Sequence, residues 1–272
     1  MEYEMISSST MMVFVLMTLI GITVPMFIVL FWKLRTKQPI MIILVGAVTF
    51  FVSAIILESI PKLILLQPTN PIGLFITSSP ILSSIIAALL AGIFEETGRF
   101  VAYKFILKKY DDKKTAISYG IGHGGFEAMY VLTLTGIQYM AYALIINEGE
   151  FGTIVSQVAA TAPEQVEAIK ALPASIAATG FPMLIISVME RFSAILIHIA
   201  CSIIVFKAVK EKDKIWLYPV AIVLHSMIDI IAAAYQMGLI TNIIIVELCI
   251  MLYAVALFIV CMKKIYWETE TD

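Results

Sequence analysis

The sequence predicts an all-α fold, a membrane bundle of about seven helices that forms one domain over residues 1–272. The composition, the number of long apolar segments and the placement of basic residues predict it. Hydrophobic residues make up 61% of the chain and charged residues 14%, which leaves too little polar surface to cover a water-soluble globule. We therefore expect lipid to be the main solvent of this protein.

A helix needs about 20 consecutive apolar residues to cross the hydrocarbon core, and the chain has seven such segments. The predicted spans are Met11–Trp32, Ile40–Leu66, Pro80–Leu107, Thr115–Ile146, Phe181–Phe206, Ile215–Met237 and Leu239–Met262. The residues before the first span include two glutamates and no basic residue, whereas a cleavable signal peptide begins with positive charge. We therefore expect the first span to be retained.

Basic residues give an independent test of these spans, because short cytoplasmic loops carry an excess of Lys and Arg. Of the 18 Lys and Arg residues, all but four lie at the end of, or directly after, the first, third, fifth or seventh span. We call these helix ends the lysine-rich side and the opposite ends the lysine-poor side. The pattern predicts an N-terminus outside and a C-terminus in the cytoplasm, with the chain in a bacterial cytoplasmic membrane.

Two segments on the lysine-poor side carry signals for the start of a helix. Ser79 before Pro80 suits the N-cap and first helical position of the third span. Thr161 with Glu164 resembles a capping box, which predicts a short surface helix over Pro163–Ala171.

Two features of the composition narrow the function classes. The net charge of −2, without a basic patch, argues against a nucleic-acid partner. The three cysteines, Cys201, Cys249 and Cys261, lie in apolar segments, where we expect them to pack as small hydrophobic residues rather than to form disulfides.

The predicted spans contain an unusual number of ionisable residues, each of which costs several kcal/mol at the bilayer centre unless it is paired or hydrated. Helical spacing places them on one face in each of four spans, because side chains three, four or seven residues apart share a stripe. The candidates, which include all three histidines of the chain, are Glu95, Glu96, Arg99, His123, Glu127, Glu190, Arg191, His198, His225 and Asp229.

The depth of these residues indicates that the four stripes meet. Counted from the flanking lysines at about 1.5 Å per residue, Glu96 and the three histidines lie roughly 13–18 Å into the membrane. We therefore expect one polar layer, within residues 80–107, 115–146, 181–206 and 215–237. Because the layer is nearer the lysine-rich side, water and substrate are expected to reach it from the cytoplasm.

Small residues beside the layer are expected to let helices approach closely. Glycines between Gly92 and Gly125 would bring the third and fourth spans together, and with them the glutamates and His123. Two other acidic residues, Glu58 and Glu247, have simpler explanations as partners in helix contacts and are left out of the predicted site.

The polar stripes resemble the motifs of the YhfC-type membrane peptidases, which are allied to the CAAX-protease and bacteriocin-processing group of intramembrane proteases. That group has a glutamate pair followed by an arginine, an aromatic residue four positions before a histidine, and a histidine four positions before an asparagine. This chain has Glu95, Glu96 and Arg99, then Tyr119 with His123, and then His225 with Asp229. Its arginine comes one residue earlier, and Asp229 stands where the group has an amide.

Further residues resemble the YhfC type specifically, namely the stretch from His123 to Glu127 and the stripe from Glu190 to His198. The resemblance implies an intramembrane peptidase, and hence a hydrolase, with a membrane-anchored peptide or protein as substrate.

A mechanism without a metal is the leading hypothesis for these residues. Glu95 or Glu96 would act as general base toward a water held with His123, while His225 stabilises the oxyanion. Arg99 would keep one glutamate ionised, and Asp229 would orient His225. Glu127, Arg191 and His198 are assigned supporting roles.

Three alternatives remain open at this stage. The first keeps the reaction but adds zinc, for which imidazole and carboxylate donors are suitable ligands. Its predicted ligands are His123, Glu127, His198 and His225. The second is a proton- or metal-coupled transporter, although the chain shows no inverted repeat. The third is a non-catalytic membrane protein of the immunity type.

Overall fold

The computed structural model describes residues 3–266, which form helices and contain no strand. Seven helices in this part of the chain are long and apolar enough to cross a membrane. They are Ser8–Thr36, Ile40–Leu65, Pro80–Ile106, Lys114–Asn147, Phe181–Lys210, Leu217–Gln236 and Ile243–Tyr266. Each lies within a few residues of a predicted span. The predictions of an all-α fold and of a polytopic membrane protein are therefore confirmed.

The α-helices are numbered in chain order. They are α1 (Ser8–Thr36), α2 (Ile40–Phe50), α3 (Ser59–Leu65), α4 (Pro71–Thr77), α5 (Pro80–Val101), α6 (Lys114–Asn147), α7 (Phe151–Thr161), α8 (Val166–Ala177), α9 (Phe181–Lys210), α10 (Leu217–Gln236) and α11 (Ile243–Cys261). A π-helical segment, Phe51–Leu57, joins α2 to α3, so that together they make the second membrane span. Two further π-helical segments, Ala102–Ile106 and Met262–Tyr266, extend α5 and α11.

The predicted start of the third span is confirmed. The hydroxyl of Ser79 accepts a hydrogen bond from the backbone N–H of Leu82, and Pro80 opens the helix. Asn70 and Asn242 cap α4 and α11 in the same way. These caps satisfy backbone N–H groups that a helix leaves without partners in its first turn.

The predicted capping box at Thr161 is wrong. Thr161 is the last residue of α7, and its hydroxyl donates to the carbonyl oxygen of Gln157 instead of capping the next helix. A 3-10 turn over Pro163–Gln165 then leads into α8, which continues beyond the predicted end at Ala171. The side chain of Glu164 lies outside the described residues. The sequence analysis missed α4 and α7, because both are too short to form a membrane span.

The described residues divide into two compact units. The first comprises the described part of Met1–Val24 together with Met129–Val188. Its apolar core includes Phe14, Phe151 and Ile176, none of which is exposed. Asn147 holds Ile6 through two hydrogen bonds. The Asn147 side chain accepts from the backbone N–H of Ile6 at 2.7 Å and donates to the carbonyl oxygen of Ile6 at 3.0 Å.

The second unit comprises Pro25–Ala128 and the described part of Met189–Asp272. Glycines allow its helices to approach backbone to backbone. A Cβ added at Gly122 would lie 2.0 Å from the carbonyl oxygen of Ile43, so α6 contacts α2 directly. All of the residues of the predicted polar layer belong to this unit. That the whole chain forms a single domain stays a prediction.

The glycines were expected to pack the third span on the fourth, and this prediction is wrong. Gly92 on α5 faces Ser226 of α10, and Gly98 faces Ser53 of the π-helical segment after α2. On α6, Gly120 faces the backbone of Ile199 on α9. These three glycines therefore face three different neighbours, which the linear sequence does not specify.

Candidate functional site

A buried ion pair on α5 lies at the centre of the polar layer. Arg99 and Glu96 are three residues apart, so they share one face of the helix. Arg99 Nη1 donates to both carboxylate oxygens of Glu96, at 2.8 and 2.9 Å. Neither side chain is exposed. Removing one partner of so deeply buried a pair strongly destabilises the protein, because the remaining charge is then uncompensated.

Glu95, the neighbour of Glu96, contacts α6. His123 Nε2 donates to Glu95 Oε2 at 2.9 Å. The imidazole packs edge-on against the ring of Phe50, with ring centroids 5.3 Å apart. Its second nitrogen, Nδ1, is buried and has no hydrogen-bond partner among the described residues. Helix α6 therefore delivers a fully buried histidine to the carboxylate of α5, as the sequence analysis expected.

His198 on α9 is held from both ring nitrogens. Its Nδ1 lies 3.0 Å from Arg99 Nη2. A guanidinium can only donate, so Nδ1 must be the acceptor and the ring proton resides on Nε2. That Nε2–H donates to Glu127 Oε2. The contacts thus fix one tautomer of His198, with its lone pair on Nδ1.

Glu127 also joins α6 to the N-terminal half of α9. Its Oε1 accepts from Arg191 Nη1 at 2.8 Å, and Arg191 Nη2 donates to Glu190 Oε1 at 2.5 Å. Arg191 and His198 were predicted to share one stripe of their helix, and both contact the same carboxylate. Glu127 therefore orients His198 while its own charge is compensated by Arg191.

His225 on α10 lies between two carboxylates. Its Nδ1 donates to Glu96 Oε1 at 2.7 Å, and its Nε2 is 3.4 Å from Asp229 Oδ2. Since Arg99 holds Glu96, the arrangement is a chain of three groups in which a cation orients a carboxylate and the carboxylate orients a histidine. Asp229 lies one helical turn from His225, as its spacing in the sequence predicted.

The three imidazoles are close neighbours in space. The ring centroids of His123 and His198 are 4.6 Å apart, and those of His198 and His225 are 5.2 Å apart. These rings come from three different helices, α6, α9 and α10. The structure therefore brings all ten predicted site residues into one network of contacts.

Two residues that the sequence analysis set aside belong to the surroundings of this network. Glu58 is 1% exposed, pairs with Lys62 at 2.5 Å, and interacts electrostatically with His225. Glu247 on α11 is buried and interacts electrostatically with Arg191. Their only signal in the sequence was an acidic residue inside an apolar span, which does not show which way the side chain points.

A cavity of about 100 Å³ adjoins the network. Its polar lining consists of Glu95, Glu127, Glu190, Arg191, His198, His225 and Asp229. Since a buried water needs only about 10–15 Å³ of such space and a few polar partners, the cavity can hold several water molecules. The network therefore has room for water beside it.

The described residues contain two groups whose donor atoms all lie within 4.8 Å of one another. The first is Glu95, His123 and His198, and the second is Glu96, Cys201 and His225. In the second group, both oxygens of Glu96 already accept from Arg99. A metal ion there would have to compete with a resident cation.

In the first group Arg99 Nη2 donates to His198 Nδ1, so a metal ion would have to replace that hydrogen bond. The first group nevertheless fits a divalent metal ion better, because its carboxylate does not already bind a cation. Among residues 3–266, no Lys or Arg lies within ion-pair distance of Glu95, although its side chain is only 8% exposed. Two imidazoles and one carboxylate are the protein ligands of many catalytic zinc sites. The predicted zinc ligands His123 and His198 are in this group, whereas Glu127 contacts His198 and His225 belongs to the second group.

The chain resembles known proteins over nearly its whole length. The family model described as YhfC intramembrane metalloprotease matches residues 20–250. An uncharacterized membrane protein YhfC from Bacillus subtilis (strain 168) is 28% identical over 263 residues, which cover 97% of this chain and 96% of that protein. No solved structure matches the chain. Both matches include the polar layer from Glu95 to Asp229.

Proposed function

This chain belongs to the family of YhfC intramembrane metalloproteases, and we propose that it hydrolyses peptide bonds of membrane-anchored proteins with a metal held by Glu95, His123 and His198. The observation that carries the proposal is the convergence of these three donors from α5, α6 and α9 on one buried point. A carboxylate without a cationic partner is costly in a membrane span unless it is protonated or a bound cation compensates its charge, and a metal ion at this point would supply that cation.

Zinc suits this donor set, and the chemistry that it would supply when bound is Lewis acidity toward a water molecule and toward the scissile carbonyl. Glu127 would act beside the ligands as a positioning residue. By accepting the Nε2–H of His198, it leaves the lone pair of that ring on Nδ1, the nitrogen nearer Glu95, where a bound metal would replace the hydrogen bond from Arg99 Nη2. Carboxylates in this place commonly orient the histidines of catalytic metal sites.

His225 is the group that we assign to proton transfer. Its Nδ1–H donates to Glu96, so that Nε2 is available at the cavity. A histidine oriented in this way can take a proton from water and later give it to the leaving amine. Glu96 and Arg99 would position His225 without touching the substrate, and Asp229 would stabilise the ring when it is protonated.

The mechanism without a metal is the second candidate, and the cavity favours one form of it. Glu95 lines the cavity, whereas both oxygens of Glu96 are occupied by Arg99 and His225. If no metal is used, Glu95 rather than Glu96 would be the general base, with His123 donating to its carboxylate.

Metal content distinguishes the two candidates. Purified wild-type protein should contain about one zinc ion per chain, the stoichiometry of a single three-ligand catalytic site. The variants Glu95→Gln, His123→Ala and His198→Ala should each lose it. Glu247→Gln is the matched control, because it also removes a buried carboxylate from a span but lies outside the donor group. Full zinc content in all three variants would contradict the proposed ligands.

Peptidase activity needs its own measurement, because the substrate class is part of the proposal. Purified protein can be reconstituted with bacterial membrane proteins, and new peptide termini can be identified by mass spectrometry. Wild type should generate termini that Glu95→Gln does not. Activity in protein stripped of metal would support Glu95 as the base, and equal termini from wild type and Glu95→Gln would contradict both candidates.

A further inference from the structure

The cavity beside the polar layer extends in one direction only. On α9 its lining residues run from His198 to Glu190, and on α10 they run from His225 to Ala232. Both directions lead away from the lysines that flank these helices. At about 1.5 Å per residue, the two runs cover roughly 12 and 10 Å along their helices. The cavity therefore leads from the layer toward the lysine-poor side.

On the opposite side of the layer, buried aromatic side chains pack together. Tyr103 and Tyr119 are fully buried, with ring centroids 4.8 Å apart, and the ring of Phe206 packs on Tyr103 at 5.2 Å. Ala200 on α9 is also fully buried, two residues beyond His198 toward the lysines. A second cavity, of about 340 Å³, lies on this side and is lined in part by Ala116, Ile203 and Phe206, but no residue of the polar network lines it.

Side-chain exposure changes in the same direction as the cavity. Glu95 and His198 are 8% and 4% exposed, whereas Asp229 and Glu190, farther from the lysines, are 33% and 35% exposed. Charged groups that are partly exposed at such depth require water or other polar surroundings. The carboxylates of the lining also outnumber its one arginine, which favours hydrated cations over anions along this path.

We propose that the site receives its water and metal, and meets its substrate, from the lysine-poor side. The distribution of Lys and Arg assigns that side to the exterior of the cell. The substrate would then be a membrane-anchored protein cut in the half of the bilayer nearer the exterior. The assignment of a substrate rests on the proposed function, whereas the path itself does not. The direction of the cavity thus favours the reverse of the cytoplasmic route that depth alone had led us to expect.

Thiol labelling tests the path without any assay of activity. Cys249 is exposed and would be replaced by serine, whereas Cys201 and Cys261 are buried and can remain. In that background, Ala194→Cys and Ala232→Cys place single thiols in the cavity on two helices. A membrane-impermeant thiol reagent is then added either to intact cells or to inside-out vesicles.

Three further variants serve as references. Glu148→Cys and Lys212→Cys mark the lysine-poor and lysine-rich loops, because both positions are exposed. Ala200→Cys replaces a fully buried residue and should not react from either side. We expect Ala194→Cys and Ala232→Cys to react only from the side on which Glu148→Cys reacts.

Reaction of the cavity thiols from the side of Lys212→Cys would overturn the proposal. So would a lack of reaction from both sides while the two loop markers react. The outcome is separable from that of the proposed function. If the thiols react as expected but the zinc and peptidase measurements fail, the path stands and the proposed reaction does not.

Discussion

Arg99 Nη2 lies 3.0 Å from His198 Nδ1, so a buried guanidinium on α5 determines the tautomer of a histidine on α9. The same guanidinium also holds Glu96, and through Glu96 it orients His225. One side chain therefore connects the proposed metal ligands to the proposed proton-transfer group. Substitutions that remove one of these contacts at a time can test the role of each residue.

Replacing Arg99 by methionine should destabilise the protein. The change leaves Glu96 buried without its cation, which costs about 3–5 kcal/mol. The double variant Glu96→Leu with Arg99→Met should recover much of this loss, because it removes both charges. Unfolding by denaturant in detergent micelles gives the free energies of the cycle. A double variant less stable than Arg99→Met would contradict the assigned pairing.

Replacing Glu127 by glutamine should weaken metal binding without abolishing it. The amide accepts a weaker hydrogen bond from His198 Nε2–H than the carboxylate does, and losing such a positioning partner typically costs about 10–100-fold in metal affinity. Competition with a chelator of known affinity measures the change. Glu190→Gln is the control, because Glu190 contacts Arg191 rather than the histidine. Equal affinities for wild type and Glu127→Gln would exclude the positioning role.

Replacing His225 by asparagine should separate turnover from metal binding. We expect the rate of peptide release to fall by about 100- to 10,000-fold, the usual contribution of a general acid–base group. Zinc content should stay at the wild-type level, since His225 is outside the proposed ligand group. Ser226→Ala provides the comparison, as a neighbouring buried substitution in the same helix. Loss of zinc from His225→Asn would show instead that His225 is a ligand.

Two glycines near the site should respond differently to alanine. At Gly122 the new Cβ would lie 2.0 Å from the carbonyl oxygen of Ile43, so helices α2 and α6 would have to separate. Overpacking of this kind costs about 1–3 kcal/mol or more. At Gly125 the nearest atom is 3.7 Å away, and Gly125→Ala should be tolerated. The yield of monodisperse protein and its unfolding free energy would show the difference, and similar losses for both variants would contradict the packing described.

The predicted orientation can be tested with fusions. A reporter that works only in the cytoplasm should be active at the C-terminus and inactive when it is placed in the loop near Glu148. Moving the basic residues Lys207 and Lys210 away from the end of α9 should weaken this preference, because such residues determine topology. An active reporter near Glu148 would show that the orientation is the reverse of the predicted one, and that the cavity faces the cytoplasm.

The sequence was sufficient for the membrane spans, because length and hydrophobicity determine them almost alone. It was also sufficient for contacts within one helix. The pairing of Arg99 with a glutamate of its own helix and the proximity of His225 to Asp229 follow from helical spacing, whereas the choice of Glu96 over Glu95 does not. Both kinds of prediction rely on local geometry that every α-helix shares.

Contacts between helices could not be derived in this way, since spacing does not specify how each helix is rotated about its axis. Glu127 was one of the predicted zinc ligands, yet its carboxylate binds His198 and Arg191. The direction in which the cavity extends depends on how the helices pack, which no spacing rule predicts.

The location of the central ion pair within a single helix bears on how the chain enters the membrane during synthesis. Helix α5 is made before α9 and α10, so Glu96 and Arg99 reach the bilayer before His198 and His225 exist. Because they are three residues apart, the two charges can neutralise each other as soon as the helix forms. Glu95 has no such partner on its own helix and depends on His123, which the next span supplies. Helices α5 and α6 are thus suited to insert as a pair, before the remaining ligand arrives.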